Sequence, residues 1–113
     1  MARPPKNFKL VNYSWDVRIV EQDTLDAILR HSYPPGSSLG VCRKQEQTIL
    51  ICRDQSKQEL PRTVLHEALH ACFIHNKILD HSKEEEVVLL LEERLTDLIK
   101  NNPKLIKYLQ ENL

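Results

Sequence analysis

The stretch TVLHEALHACF, residues 63–73, combines the pattern of a core-facing helix with side chains that carry chemistry. Its apolar residues recur at the i, i+3, i+4 and i+7 positions of a helix: Leu65, Ala68, Leu69 and Cys72. This spacing turns one apolar stripe toward a core. His66, Glu67 and His70 follow the order H-E-x-x-H on the same segment. Because imidazoles and carboxylates beside a core cost stability unless they are paired or bound, the stretch predicts a helix with a polar site on one side.

The length and charge of the chain narrow its class. With 113 residues, the chain is expected to form one domain, residues 1–113, in which residues 1–7 are a flexible leader. Sixteen Lys and Arg residues balance sixteen Asp and Glu residues, so there is no general attraction for nucleic acid or an anionic membrane. The apolar runs are too short for a membrane span, and the N-terminus lacks the apolar region of a secretory signal. We therefore expect a cytoplasmic protein without nucleic-acid or membrane partners.

The three cysteines agree with that compartment. There are three of them, Cys42, Cys52 and Cys72, and no two are spaced as C-x-x-C. Such a set is typical of reduced thiols, and free cysteines commonly pack as small hydrophobic residues. We expect all three to be packing residues.

Strands are predicted before the motif helix and further helices after it. A strand, a short helix and an antiparallel hairpin precede it, at residues 14–22, 23–31 and 40–54. The strand is indicated by alternation of apolar and polar residues, and the hairpin by two apolar runs joined by a short polar link. Two helices follow, at residues 83–101 and 103–113, and the leucines of the last one are expected to dock on the rest of the chain.

The H-E-x-x-H order predicts a zinc site. Histidines four residues apart project from the same side of a helix, close enough to coordinate one metal ion. Zinc lowers the pKa of a bound water to about 7, and the glutamate between the histidines can take the proton. His66 and His70 are therefore predicted as ligands and Glu67 as the general base. The metzincin class is excluded, because Phe73 and Asn76 stand where it requires glycine and histidine.

A catalytic zinc needs a third protein ligand, and the residues alone leave several candidates. These are two histidines and three glutamates: His75, His81, Glu84, Glu85 and Glu92. Along the helix that follows, Glu84 projects near the centre of the apolar stripe, whereas Glu85 and Glu92 share one edge of it. Glu85 also stands three residues after Ser82, a spacing that would complete a capping box.

The motif helix, the run EEEVVLLLEERL at residues 84–95 and NNPKL at residues 101–105 together carry a resemblance. They resemble the small phage-encoded zinc metallopeptidases related to the ImmA/IrrE group, the minimal gluzincins. The similarity covers roughly residues 47–105 and is most specific at H-E-x-x-H. In that group the third ligand is a glutamate on the helix after the motif helix, three residues before a small or aliphatic residue. The resemblance therefore implies Glu85, which precedes Val88 by three.

The resemblance also implies a fold of the α+β class. A small twisted antiparallel sheet packs against the H-E-x-x-H helix in a zincin-like arrangement, and two C-terminal helices follow. In such enzymes an edge strand beside the zinc cleft holds the substrate as an added strand. The run TILICRD, residues 48–54, is the expected edge strand. The candidates for stabilising the oxyanion are four ring side chains: Tyr33, His75, His81 and Tyr108.

Two functions of different classes follow from these patterns. The first is a zinc metallopeptidase that hydrolyses peptide bonds in a protein or peptide substrate, by metal-activated water with a glutamate base. The second is a non-hydrolytic, zinc-stabilised interaction or regulatory module, since a fold and a motif do not guarantee turnover. A helical binding protein without metal is a third, weaker interpretation. The sequence patterns indicate neither the substrate nor the oligomeric state.

Overall fold

A computed structural model describes residues 3–30 and 34–113 of the chain. These residues form an α+β arrangement of four strands and four helices. The strands are β1 (Asn7–Leu10), β2 (Tyr13–Val20), β3 (Gly40–Arg43) and β4 (Thr48–Cys52). The helices are α1 (Gln22–Leu29), α2 (Glu59–Ala71), α3 (His81–Asn101) and α4 (Pro103–Asn112).

The four strands form one mixed sheet in the order β1-β2-β4-β3. The pairs β1–β2 and β3–β4 are antiparallel, so the predicted hairpin is confirmed, but β2 and β4 run parallel. The expectation of an entirely antiparallel sheet is therefore wrong. The connection through α1 returns the chain to the end of the sheet where β2 finishes, and β3 starts from there. The second strand of the hairpin, β4, then runs in the direction of β2.

The strand expected at the edge, TILICRD at residues 48–54, lies inside the sheet instead. β4 has β2 on one side and β3 on the other, and all five of its residues are buried. A continuous apolar run is typical of a strand covered on both faces rather than of an edge. The edge strand on the side of α2 is β3.

Helices cover both faces of the sheet. Successive side chains of a strand point to opposite faces, so β4 contributes to two separate clusters. On the face of α2, the cluster contains buried residues of β2 and β4 with two half-buried residues of the helix: Val17, Ile49, Ile51, Leu60 and Val64. On the face of α1, the cluster consists of Leu25, Leu50 and Cys52. The polar site on α2 therefore stands on a filled core.

The N-terminal strand β1 is an element that the sequence pattern does not predict. Residues 1–7 are predicted as a flexible leader, but β1 begins at Asn7, and Lys6 accepts a hydrogen bond from the Val17 amide at 2.8 Å. The ring of Phe8 stacks on Trp15 with centroids 6.3 Å apart. Four residues with alternating partial burial are too short to give a periodic signal, and pairing with β2 forms this strand.

Helix α3 begins two residues before the predicted start. Its N-cap is Asp80, whose carboxylate accepts a hydrogen bond from the Lys83 amide at 2.8 Å. Ser82 lies inside the helix, so it does not cap it, and Glu85 completes no capping box with it. The carboxyl group of Glu85 is left for other contacts.

Helix α4 follows Asn102 and Pro103 as predicted, but none of its residues is buried. Leu105 is exposed and Leu113 is fully exposed, whereas Leu109 is half-buried, so the expected docking of the last leucines is wrong for Leu105 and Leu113. Within the described residues α4 contacts chiefly α3, which leaves most of its surface exposed. None of the helices described has the combination of length and apolar character that crossing a bilayer demands.

Truncating the central strand should destabilise the fold strongly. Ile51 is fully buried, and replacing a buried isoleucine by alanine typically costs about 2–5 kcal/mol. The matched control is Ile78→Ala, because Ile78 is 92% exposed and surface substitutions usually change stability by at most about 0.5 kcal/mol. Urea unfolding measures both free energies, and equal effects would contradict the position of β4 in the core.

Candidate metal centre

The predicted site residues lie where α2 packs against α3. His66, Glu67 and His70 project from α2 into a cavity that α3 and β3 also line. Contacts along the two helices follow opposite orders, since His66 meets Glu92 and His70 meets Glu84. The helices are therefore antiparallel, and the first half of α3 faces the motif.

Both motif histidines approach one carboxylate through the same ring atom. The Nε2 atom of His66 is 3.1 Å from Glu85 Oε1, and the Nε2 atom of His70 is 2.9 Å from Glu85 Oε2. One ligand atom from each of the three residues lies within 4.8 Å of the other two. In a tetrahedral site with bonds of about 2.0–2.1 Å, ligand atoms are about 3.3 Å apart. The set His66, His70 and Glu85 therefore fits a zinc ion with small side-chain adjustments.

The other nitrogen of each ring is held by a second carboxylate. His66 Nδ1 is 2.8 Å from Glu92 Oε1, and His70 Nδ1 is 2.6 Å from Glu84 Oε2. A ring whose Nδ1–H donates to one of these carboxylates turns its Nε2 atom toward Glu85, and this nitrogen is then available to a metal ion. Metal-ligating histidines almost always donate their other N–H in this way. Glu84 and Glu92, the alternatives to Glu85 as third ligand, thus contact the far side of the rings.

Glu84 is buried and uses both of its oxygens. It is only 5% exposed, and its Oε1 accepts a hydrogen bond from Lys44 Nζ at 2.6 Å. Burial acts to raise the pKa of Glu84, but hydrogen bonds with Lys44 and His70 outweigh it and hold the pKa below its usual value. Glu84 therefore faces His70 as a carboxylate. No sequence signal identifies Lys44, because it lies in a turn 40 positions before its partner.

Glu67 has a different environment from the other glutamates of the site. It is 6% exposed, and burial raises its pKa to about 7. The nearby His66 lowers this pKa, whereas the charges of Glu85 and Glu92 raise it further. A carboxyl group that titrates near neutral pH suits proton transfer, since efficient acid–base groups have a pKa near the working pH.

Strand β3 approaches the motif helix closely because of a glycine. A Cβ atom on Gly40 would lie 2.9 Å from Thr63 Cγ2, 3.0 Å from the Leu50 carbonyl oxygen and 3.2 Å from Glu67 Cγ. The first two distances are shorter than ordinary packing contacts allow. The absence of a side chain at this position lets the edge strand run directly beside the glutamate of the motif.

The outer side of β3 presents free backbone groups to the cavity. The Leu39 carbonyl accepts a hydrogen bond from the Cys52 amide at 2.8 Å, which sets the phase of the β3–β4 ladder. Bonded and non-bonded pairs alternate along an antiparallel ladder, so the backbone groups of Gly40 and Cys42 point away from β4. The Gly40 carbonyl accepts a hydrogen bond from the Ser38 hydroxyl. The N–H and C=O groups of Cys42 are directed to the open side.

The ring side chains predicted as candidates for stabilising an oxyanion lie in different parts of the molecule. His81 is exposed and lines the cavity one helical turn before Glu85. His75 accompanies Tyr13 on the surface, with the Tyr13 hydroxyl 3.1 Å from His75 Nε2, outside the cavity lining. Tyr108 lies on α4, is exposed, and is also absent from the lining. Tyr33 lies outside the described residues. Of the described candidates for stabilising an oxyanion, His81 is the one beside the metal-ligand set.

The cysteines are free thiols with different degrees of burial. Cys52 is fully buried, Cys42 is half-buried and Cys72 is exposed. The expectation that all three are packing residues therefore does not hold for Cys72. Burial, reinforced by the charge of Glu67, raises the pKa of Cys42 to about 12, so this thiol beside the cavity stays protonated.

No family model, curated protein or solved structure matches the chain. The resemblance to small phage-encoded metallopeptidases therefore stays a prediction. The function has to be inferred from the contacts, burial and charges of the site itself.

Proposed function

We propose that the protein is a zinc-dependent peptidase that hydrolyses peptide bonds in a protein or peptide substrate. His66, His70 and Glu85 would hold the metal, and Glu67 would act as the general base. The observation that supports this best is the use of the ring nitrogens. Both Nε2 atoms converge on one carboxylate, while a separate carboxylate holds each Nδ1 atom.

The charges of the cluster favour a shared cation. Without one, each Nε2 atom would need its own proton to approach an ionised Glu85. Two protonated rings with centroids 5.0 Å apart would repel each other in a partly buried site. A single divalent cation places two positive charges at the point where the three ligand atoms meet. Its bonds to all three compensate for desolvation better than two separate protons do.

The donor set is of the kind that zinc selects. Two imidazole nitrogens and one carboxylate oxygen, with a fourth position open, form a common catalytic zinc site. Zinc bound there would polarise a substrate carbonyl and lower the pKa of a bound water to about 7. The carboxylates on the Nδ1 atoms would fix the ring orientations that ligation requires.

Glu67 would move the proton during hydrolysis. Its carboxylate would accept a proton from the attacking water and then deliver it to the leaving amine, so that the peptide bond breaks into an acid and an amine. The buried position of Glu67, next to the proposed ligand His66, supports both directions of transfer. His81, which lines the cavity, would contact the substrate oxygen.

The substrate would lie along β3 as an added strand, and we propose a zincin-like fold on this basis. The backbone N–H and C=O groups of Cys42 face the open side of the sheet, and the missing side chain of Gly40 brings this strand beside Glu67. Main-chain pairing would hold an extended peptide with little dependence on its sequence. This gives β3 the role that the sequence assigned to residues 48–54.

A non-hydrolytic zinc-stabilised interaction module is the second candidate. Exposed apolar side chains on α3 and α4 favour it, since such surfaces often mark contacts with other proteins. They include Leu89, Ile99, Leu105 and Tyr108. The buried Glu67 favours the peptidase, because a purely structural site gains nothing from an uncoordinated carboxylate beside its ligands.

A cytoplasmic location is also proposed. Its support is the state of the cysteines, all of which are free thiols rather than disulfides. Disulfides form in oxidising compartments and are rare in the cytosol.

The first prediction is that the purified protein holds one zinc ion per chain. His66→Ala should lose the metal and melt at a lower temperature, because ligation contributes to folding. His75→Ala is the matched control and should keep the metal, since His75 contacts Tyr13 outside the cavity. Elemental analysis after gel filtration measures the content. Absence of zinc in wild type, before and after zinc addition, would contradict the metal centre.

The second prediction separates binding from chemistry. Glu67→Gln should keep the zinc content of wild type but lower peptide cleavage by about 10²–10⁴-fold, because the amide retains the shape and accepts no proton. Cleavage is followed on a library of internally quenched fluorescent peptides. Equal rates for the variant and wild type would contradict a hydrolytic role for Glu67. A zinc-loaded wild type that cleaves no peptide would favour the interaction module.

The third prediction tests the added strand. Cys42→Pro removes an outward N–H and leaves the hydrogen bonds to β4 in place, a position where sheets tolerate proline. The loss of one main-chain hydrogen bond, about 0.5–1.5 kcal/mol, should lower kcat/KM by about 2- to 10-fold with unchanged zinc content. Cys42→Ala controls for the lost thiol and should cleave like wild type. If both variants lose the same activity, the side chain rather than the backbone matters.

A further inference from the structure

We propose that Lys44 is a positioning residue for the metal centre: through Glu84 it fixes the orientation of His70 and couples the β3–β4 hairpin to metal affinity. The inference rests on the proposed function, in which His70 is a metal ligand. It adds a residue from another part of the chain to the site. It also connects the metal to the strand that would hold the substrate.

A continuous line of hydrogen bonds carries this inference. Lys44 Nζ donates to Glu84 Oε1 at 2.6 Å, and Glu84 Oε2 is 2.6 Å from His70 Nδ1. Each oxygen of the carboxylate thus has one partner, on opposite sides of the group. Because both ends are held, the plane of the Glu84 carboxylate is fixed, and with it the direction of the His70 ring.

Burial makes the lysine necessary to this arrangement. Glu84 and His70 are both below a tenth exposed, so water is a poor replacement for a lost partner. Without the ammonium group, Glu84 Oε1 would be a buried acceptor with no donor, and a charged group in that position is costly to leave unpaired. The carboxylate would relieve this cost by turning toward solvent, and it would then release His70 Nδ1.

The other ligand histidine has no such requirement. His66 Nδ1 contacts Glu92, whose side chain is more exposed than that of Glu84. Among the described residues, Glu92 forms no ion pair with a lysine or arginine. Water can therefore solvate its free oxygen. The two rings of the site are held in different ways, and the hairpin controls only His70.

The position of Lys44 at the end of β3 means that its ion pair with Glu84 connects this strand to the metal site. Lys44 follows Arg43, the last residue of β3, so the ion pair links the end of the edge strand to α3. Coupling between two events is reciprocal: if the hairpin position favours metal binding, metal binding favours that hairpin position by the same free energy. A loaded centre would therefore hold the substrate-binding strand more firmly than an empty one.

The test compares zinc affinities by competition with a fluorescent chelator. Lys44→Met keeps the length of the side chain and removes the charge, and it should weaken zinc binding about 10- to 100-fold, the usual effect of losing a group that supports a ligand. Arg43→Met is the matched control, since Arg43 pairs with Glu46 on the same hairpin rather than with Glu84 or a ligand residue. It should bind zinc like wild type. Lys44→Arg should recover most of the affinity.

A double-mutant cycle distinguishes positioning from a general structural effect. Glu84→Gln should weaken zinc binding, and adding Lys44→Met to it should change the affinity little, because the lysine acts through the carboxylate. Metal-free Lys44→Met should melt below metal-free Arg43→Met, because it loses the partner of a buried carboxylate, so the affinities are compared at a temperature where both variants are folded. If Lys44→Met does not fold, Lys44→Gln replaces it in the same cycle.

The outcomes separate this inference from the proposed function. Wild type that binds zinc while Lys44→Met binds it equally well would overturn the role of Lys44 and leave the metal centre standing. Additive effects of Lys44→Met and Glu84→Gln would overturn it as well. Wild type that binds no zinc would overturn the metal centre together with everything that depends on it.

Discussion

Polar side chains buried between α2 and α3 must have partners, and this requirement determines how the two helices face each other. His70 and Glu84 are buried almost as completely as the apolar Val88, which lies one helical turn beyond Glu84 on α3. If these groups had no hydrogen-bond partners, their burial would destabilise the fold by more than the surrounding apolar contacts stabilise it. Only an antiparallel arrangement that brings the carboxylates of α3 to the rings of α2 satisfies them. The apolar and polar parts of the interface therefore favour the same helix register.

The sheet supports this interface from below. β4 lies in its centre, and its isoleucines pack against Leu60 and Val64 of α2. Since the α2 side of the sheet is filled with apolar residues, the polar face of α2 is left toward α3 and β3. The site therefore lies in the cavity that α2, α3 and β3 line. Such a position suits chemistry that needs both a low dielectric and access for a long substrate.

Local patterns account for the parts of the molecule that were predicted correctly. The helix around His66, the alternation in β2 and the hairpin of β3 and β4 are all properties of short segments, and all are present in the structure. The predicted apolar stripe of α2 is wrong in part: Leu69 is buried, but Cys72 is exposed, and Leu60 and Val64 make the contacts with the sheet core. The errors concern relations between segments. Whether β4 or β3 forms the edge depends on which strand of the hairpin docks on β2. No periodicity within either strand contains that information.

The roles of the three glutamates of α3 could be narrowed but not assigned from sequence for the same reason. Glu84, Glu85 and Glu92 all belong to a helix expected to face the motif, and each was a candidate for the metal. Their separation into one residue facing both Nε2 atoms and two residues facing Nδ1 atoms depends on the helix register, which is set by packing. The contact of Lys44 with Glu84 could not be predicted from the sequence, because it forms only when the turn between β3 and β4 packs against α3.

Several residues of the β3–β4 hairpin contact or border the site, each in a different way. Gly40 and Cys42 alternate along β3, so their side-chain positions share the face that looks toward α2, and Lys44 follows in the turn after the strand. Gly40 leaves room for Glu67, Cys42 has outward backbone groups, and Lys44 donates a hydrogen bond to Glu84. A slip of one residue in the pairing of β3 with β4 would turn Gly40 and Cys42 to the opposite face together and would displace Lys44 with the turn. Correct register in this one short ladder is therefore a condition for the geometry of the whole site.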